Sequence, residues 1–195
     1  MRIGPYGGSF DPIHNGHLRM AEYASKTYGG KVIFIPAKCP RWKNPTESDL
    51  DRLKMLQNAL KNVEYQYEIS DFEFKSNDVV NYSIKTVKYF KTIYPNDKLF
   101  FLIGADQVEA FHKWEECDEI ASICQIIFVP RIGYAISDAN VKRFNMIKLE
   151  FYESGDVSSS NIRILKSNDI HQTTRQYIEE NRLYYVQKIA ALVSE

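Results

Sequence analysis

Short apolar runs alternate with longer amphipathic stretches along most of this chain, a rhythm that commits it to a largely parallel sheet joined by helices. The runs Val32–Ile35, Tyr65–Ser70, Leu99–Ile103, Gln125–Val129 and Ile147–Phe151 read as strands, with Arg2–Tyr6 as the first. Pro5 inside that opening strand removes a ladder donor, an unusual choice. Between the runs, His17–Tyr28 has a helical composition and stops before Gly29-Gly30. Asp49–Lys61 sets Leu50, Leu53, Leu56 and Leu60 on roughly one face behind Ser48 as N-cap. Ser83–Ile93 and Ala105–His112 are further helices, and after Ser158 the pattern is helical almost throughout: Ser160–Ser167, Thr173–Asn181 and Tyr185–Val193. No repeat, low-complexity tract or long linker divides the chain. The expectation is one α/β domain over residues 1–195, doubly wound, with residues 158–195 mostly helical and packed back onto the sheet. Ligands of such sheets bind beyond the carboxyl ends of the strands, where strand order reverses.

At 195 residues the chain has one-domain length, and 44% hydrophobic with 13% aromatic content is enough for a core and excludes general disorder. Twenty-five basic residues balance twenty-five acidic ones, so bulk charge gives no support to nucleic-acid binding. The N-terminus has no basic-then-apolar leader, and no apolar run reaches membrane-spanning length. Cys39, Cys117 and Cys124 are odd in number and lack CxxC spacing, which suggests neither a disulfide framework nor a zinc knuckle. A cytoplasmic protein with no membrane or nucleic-acid partner is expected.

The loop Gly7-Gly8-Ser9-Phe10-Asp11-Pro12-Ile13-His14-Asn15-Gly16-His17 follows the first strand and opens the first helix. Gly7 and Gly8 let backbone amides approach a ligand, as a phosphate cradle requires. His14 and His17, three residues apart, can both face one anion, and an imidazolium donates from two nitrogens. The pair therefore suits stabilising charge on a phosphoryl group better than abstracting a proton. Blander readings compete: a Gly-Gly turn with Asp11 as a cap, a metal half-site without further ligands, or structural histidines.

The whole string resembles the GGxFDPxHxGH signature of the HxGH nucleotidyltransferase superfamily, with every fixed position filled. Val157-Ser158-Ser159-Ser160-Asn161-Ile162-Arg163 is similar to that superfamily's ISSTxIR element, with Ser160 where Thr is usual. Phe101-Leu102-Ile103-Gly104-Ala105-Asp106 followed by Trp114, the turn Pro130-Arg131-Ile132-Gly133, the Asn81-Tyr82-Ser83 element, and Tyr177-Ile178 with Leu183-Tyr184 narrow the resemblance to bacterial nicotinate-nucleotide adenylyltransferases, from about Ile3 to Tyr184. The resemblance implies a Rossmann-like fold and a role for each matching residue. Gly7, Gly8, Ser9 and Phe10 would line the adenylate-forming centre, with His14 and His17 on the ATP phosphates. Ser158, Ser159 and Arg163 would hold the β- and γ-phosphates, Gly104 and Asp106 the ribose, and Arg131 the adenine side. Lys43 would reach the mononucleotide phosphate, Trp114 would stack on the pyridine ring, and Tyr82 and Ser83 would stand beside the pyridine carboxylate.

The implied substrates are ATP, carrying Mg²⁺, and nicotinate mononucleotide; no dedicated carboxylate cage for a metal stands out. The chain departs from the family pattern at Arg41-Trp42, where Pro-His is usual, and at Ser83, where Thr is usual. These departures bear on the acceptor and leave the reaction type alone. The alternatives are the same chemistry on nicotinamide mononucleotide, phosphopantetheine or FMN, or a non-catalytic nucleotide-binding regulator. The helix carrying Tyr184, Tyr185, Val186, Ile189 and Val193 either caps the core or pairs with a second subunit to form a homo-oligomer, capping being the commoner outcome.

Overall fold

A computed structural model describes residues 1–38, 44–78, 80–130, 134–150 and 157–193. Six strands form one sheet in the order β3-β2-β1-β4-β5-β6: β1 (Arg2–Gly8), β2 (Lys31–Pro36), β3 (Tyr67–Ile69), β4 (Lys98–Gly104), β5 (Cys124–Val129) and β6 (Ile147–Lys148). Every recorded pairing is parallel. The expected doubly wound, Rossmann-like α/β architecture is what the chain adopts.

Strands β2 and β4 read as apolar runs because both faces of the sheet are covered there. Along β2, Val32 and Phe34 face one core with Met20, Met55 and Leu56, while Ile33 and Ile35 face the other with Val87 and Phe90. Phe100 and Leu102 of β4 divide from Phe101 and Ile103 in the same way. The first core carries α1 (Asn15–Tyr28), α2 (Asp49–Leu60) and α8 (Gln172–Glu180); the second carries α3 (Ser83–Ile93), α4 (Ala105–Ala110) and α5 (Cys117–Ile123). Helix α6 (Asp138–Arg143) precedes β6, and α7 (Ser159–Arg163) and α9 (Tyr185–Val193) complete the set.

Strand order turns from one direction to the other between β1 and β4, and Pro5 stands at that point. Pairing of β1 with β4 is recorded for Arg2 and Ile3 and stops before Pro5, whereas pairing with β2 runs on to Gly8. A residue with no N–H cannot extend the ladder. The carboxyl ends of these two strands line one cavity.

Several boundaries differ from expectation. Helix α1 begins at Asn15 rather than His17, because His14 itself takes the extended cap conformation. The helix ends at Tyr28 on Gly29, whose φ of 62° is the left-handed cap that glycine adopts without strain. The buried face of α2 is not the leucine row: Leu50 is 74% exposed, and Arg52, Met55, Leu56, Ala59 and Leu60 face inward. The expected helix Ala105–His112 splits into α4 and a 3-10 turn, Phe111–Lys113, and the helix expected over Ser160–Ser167 is the shorter α7. Helices α5 and α6, of seven and six residues, are too short to carry a periodic signal. Strand β6 pairs over two residues, and Phe151 lies outside the described residues.

Candidate active site

The N-terminal loop is locked in place from three sides. On α2, the fully buried Arg52 donates to the Ser9 carbonyl at 2.7 Å and to Asp49 at 2.5 Å. Asp11, a cap in one of the blander readings, accepts from the amides of Thr46 at 2.7 Å and Glu47 at 3.3 Å, and from the Tyr184 hydroxyl at 2.9 Å. The C-terminal third supplies the rest. Ser159 donates to the Pro12 carbonyl at 2.9 Å, Arg163 to the Asp11 carbonyl at 2.6 Å, and Asp169 accepts from Asn15 at 2.7 Å and Arg19 at 2.6 Å. Residues more than 140 positions apart in sequence thus share one small volume.

Within this frame the rings of His14 and His17 stack with centroids 3.7 Å apart. The His14 amide donates to His17 Nδ1 at 3.2 Å, and the Phe10 ring meets His17 edge-on at 5.2 Å. With Nδ1 accepting the His14 amide, Nε2 is the His17 nitrogen placed to donate. A proton on Nδ1 would face the His14 N–H.

Two cavities meet at this pair. The first, about 260 Å³, is lined by Gly7, Gly8, His17, Tyr82, Ser83 and Trp114 among others. The second, about 520 Å³, is lined by His14, Ser158, Ser159, Ser160, Arg163 and Tyr134 among others. Ser9 and Asp106 line both. One histidine of the stacked pair faces each cavity, so the pair stands at their junction.

The residues singled out in the sequence are mostly gathered here. At Gly7 an added Cβ would meet nothing within 4 Å, so the strand end opens onto free space where a ligand can approach the backbone. Gly104 is covered by its own neighbour: a Cβ there would stand 2.6 Å from Asp106 Oδ1. Trp114 packs against Phe101 and Phe111 at centroid distances of 6.1 and 5.1 Å, and its buried Nε1 has no hydrogen-bond partner among the described residues. Ser158 accepts from the Asn161 amide at 3.0 Å, and Arg163 reaches the Ser160 hydroxyl at 3.1 Å. Phe10 lines neither cavity; it is buried under Gly8 and supports His17 from behind. Lys43, Arg131 and the Arg41-Trp42 departure lie outside the described residues.

Sequence reasoning missed Arg52, Glu73, Asn44 and Tyr134 as parts of this site. Arg52 had a signal, since it repeats at the spacing of Met55, Leu56 and Ala59 on an otherwise apolar face. Glu73 had none. The residue lines the first cavity at 8% exposure, and its carboxyl accepts from the Thr86 hydroxyl at 2.9 Å and from the Lys38 backbone. Burial pushes it up to about 7 despite those donors and the charge of Arg52.

Comparison with known proteins places this architecture. Residues 5–164 match the cytidylyltransferase-like family model. A probable nicotinate-nucleotide adenylyltransferase of Methylacidiphilum infernorum is 36% identical, over 94% of this chain and 92% of its own length. The nicotinate-nucleotide adenylyltransferase of Bacillus subtilis is 34% identical, over 94% and 98%. Among solved structures, the nicotinic acid mononucleotide adenylyltransferase of Plasmodium falciparum complexed with NaAD superposes with a TM-score of 0.76 at 24% identity, covering 94% of this chain and 97% of its own, a likeness of fold.

Proposed function

The chain belongs to the cytidylyltransferase-like family, and from that premise we propose that it is a nicotinate-nucleotide adenylyltransferase of NAD biosynthesis, joining ATP and nicotinate mononucleotide into nicotinate adenine dinucleotide and pyrophosphate. The observation that carries this reading is the stacked histidine pair at the junction of two cavities, since a group-transfer enzyme must hold two substrates that meet at the reacting atom. The second cavity, with its serines and Arg163, takes the ATP triphosphate. The first takes the mononucleotide, its pyridine ring on Trp114 and its carboxylate beside Tyr82 and Ser83, where α3 begins with no acidic residue in its first turn.

In the reaction a phosphate oxygen of the mononucleotide bonds to the α-phosphorus of ATP, and the bond from that phosphorus to the bridging oxygen breaks. The electron pair leaves with pyrophosphate. The nucleophile is already an anion, so no general base is needed, and catalysis rests on alignment and charge stabilisation. His17 Nε2–H donates to the α-phosphate as charge builds on it, with the His14 ring stacked against its partner on the pyrophosphate side. Ser9 and Asp106, common to both cavities, border the path between them. Gly104 and Asp106 hold the nucleotide ribose, and Arg131 and Lys43 complete the adenine and mononucleotide-phosphate contacts. Mg²⁺ enters as part of the MgATP substrate. Residues 1–195 act as one domain in the cytoplasm, on free nucleotides rather than nucleic acid.

The test is pyrophosphate release with MgATP and, in parallel, nicotinate mononucleotide, nicotinamide mononucleotide, phosphopantetheine and FMN. Preference for the nicotinate form is expected. Equal or greater turnover with any other acceptor would displace this assignment, and ATP binding with no turnover on all four would favour a regulator.

A further inference from the structure

Glu73 is a buried carboxyl that the reaction does not use, on the wall of the cavity assigned to an anionic acceptor. It sits in the turn after β3, against α3. Thr86, its hydroxyl partner, lies one helical turn beyond Ser83 and therefore on the same side of that helix. Both of its hydrogen-bond partners are donors, and among the described residues nothing accepts from it. An ionised Glu73 thus has its acceptors served, whereas a protonated one holds an O–H with nowhere to donate until a ligand arrives.

The surrounding charges do not pin it in either state. From α2, the Arg52 guanidinium acts on it, but that group is already bound to Asp49 and the Ser9 carbonyl. From the end of β2, the Lys38 backbone faces it while the Lys38 ammonium turns to the Ser76 carbonyl at 2.7 Å. On its own turn, Asp71 and Lys75 pair with each other at 3.0 Å. The other titratable groups around the cavity are Tyr6, His17, Tyr82, Asp106 and Glu115. A second carboxylate entering this space meets an ionised Glu73 as a like charge in a poorly screened site, and a protonated Glu73 as a hydrogen-bond donor.

We propose that Glu73 selects the acceptor: its protonated carboxyl donates to the anionic carboxylate of the pyridine mononucleotide, whereas a carboxamide in the same place binds either protonation state. The inference rests on the acceptor reading above and adds the means of choosing acid over amide. Its consequence is linkage. Binding the acid takes up a proton near and above neutral pH, and binding the amide does not.

Calorimetry with the whole enzyme, Mg²⁺ and a non-cleavable ATP analogue, at pH 8 in two buffers of different ionisation heat, counts the protons. Uptake should be greater for nicotinate mononucleotide than for nicotinamide mononucleotide, by a difference approaching one per site. The phosphate common to both ligands titrates at about 6 and cancels in that difference. In steady state, KM for the nicotinate form should climb by up to tenfold per pH unit above neutrality, and Glu73→Gln, which keeps an oxygen for Thr86, should flatten that climb. Equal proton uptake for the two ligands, or an unchanged pH slope in Glu73→Gln, overturns the proposal while leaving the adenylyltransferase reading intact. Nicotinate mononucleotide that neither binds nor reacts overturns both.

Discussion

His17 and Arg52 show how a side chain is fixed by what surrounds it. The His14 amide on Nδ1, the stacked His14 ring and the edge of Phe10 hold the His17 ring with Nε2 as the nitrogen placed to donate. Removing a preorganised donor from developing phosphoryl charge costs about 100-fold or more in rate. His17→Ala should therefore lose turnover by at least that factor with little change in KM for ATP, read by pyrophosphate release; equal turnover would take His17 out of the chemistry. Arg52 works one layer back. Hydrogen bonds from a charged group contribute about 1.5–3 kcal/mol each, so Arg52→Met, which leaves the Ser9 carbonyl and Asp49 without their donor, should lower unfolding free energy by about 2 kcal/mol in urea. The GGxFDPxHxGH string announced the histidines. It carried no trace of Arg52, because the bond to Ser9 joins residues on separate elements, 43 positions apart.

At the scale of elements, α2 matters because it carries Arg52 under the loop and Met55 and Leu56 into the core. Its start is set by Ser48, whose hydroxyl accepts from the Asp51 amide at 3.1 Å. Ser48→Ala should cost about 1 kcal/mol, measurable as a lower denaturation midpoint. The N-cap and the helix span were legible, since both depend on neighbours in sequence. The buried face was not. Counting leucines favours the row through Leu50, while the sheet below accepts the stripe Arg52, Met55, Leu56, Ala59 and Leu60, so which residues count as interior depends on the partner surface. Pro5 behaves likewise: a defect in an isolated strand, it coincides here with the end of β1–β4 pairing beside the cavity.

Across the whole molecule, the C-terminal third closes the site rather than merely covering the sheet. Tyr184 is buried against Asp11, and burial together with that carboxylate raises its hydroxyl above the ordinary phenol range, so it remains a donor through alkaline pH. Its neighbours on α9 do not cap the core: Tyr185 and Val186 are 60% and 74% exposed. Asp169 fastens α1 through Arg19 and Asn15, and the Arg19 hydrogen bond holds its carboxyl below the usual carboxylate range. Because that folded-state value is depressed, the unfolded chain binds the proton first as pH falls. The contribution is complete above the unfolded value of about 4 and disappears as pH drops through the folded one. Asp169→Asn should be less stable than the parent at neutral pH, and the gap should narrow in acid, as read from melting temperatures across pH 2–7. A gap that stays constant would show that Asp169 acts through packing rather than charge.

Contiguous chemistry was readable from the chain alone: each apolar run of the alternation, the glycine–histidine loop and the serine-rich turn lies within a dozen residues, where backbone geometry ties sequence to conformation. Tertiary structure alone decided that His14 and His17 would stand at the junction of two cavities, that Asp11 would answer Tyr184 across 173 positions, and that Glu73 would lie on the wall of the first cavity. Those outcomes depend on which faces pack together, and packing is settled by the summed fit of surfaces distant in sequence, which no local pattern encodes.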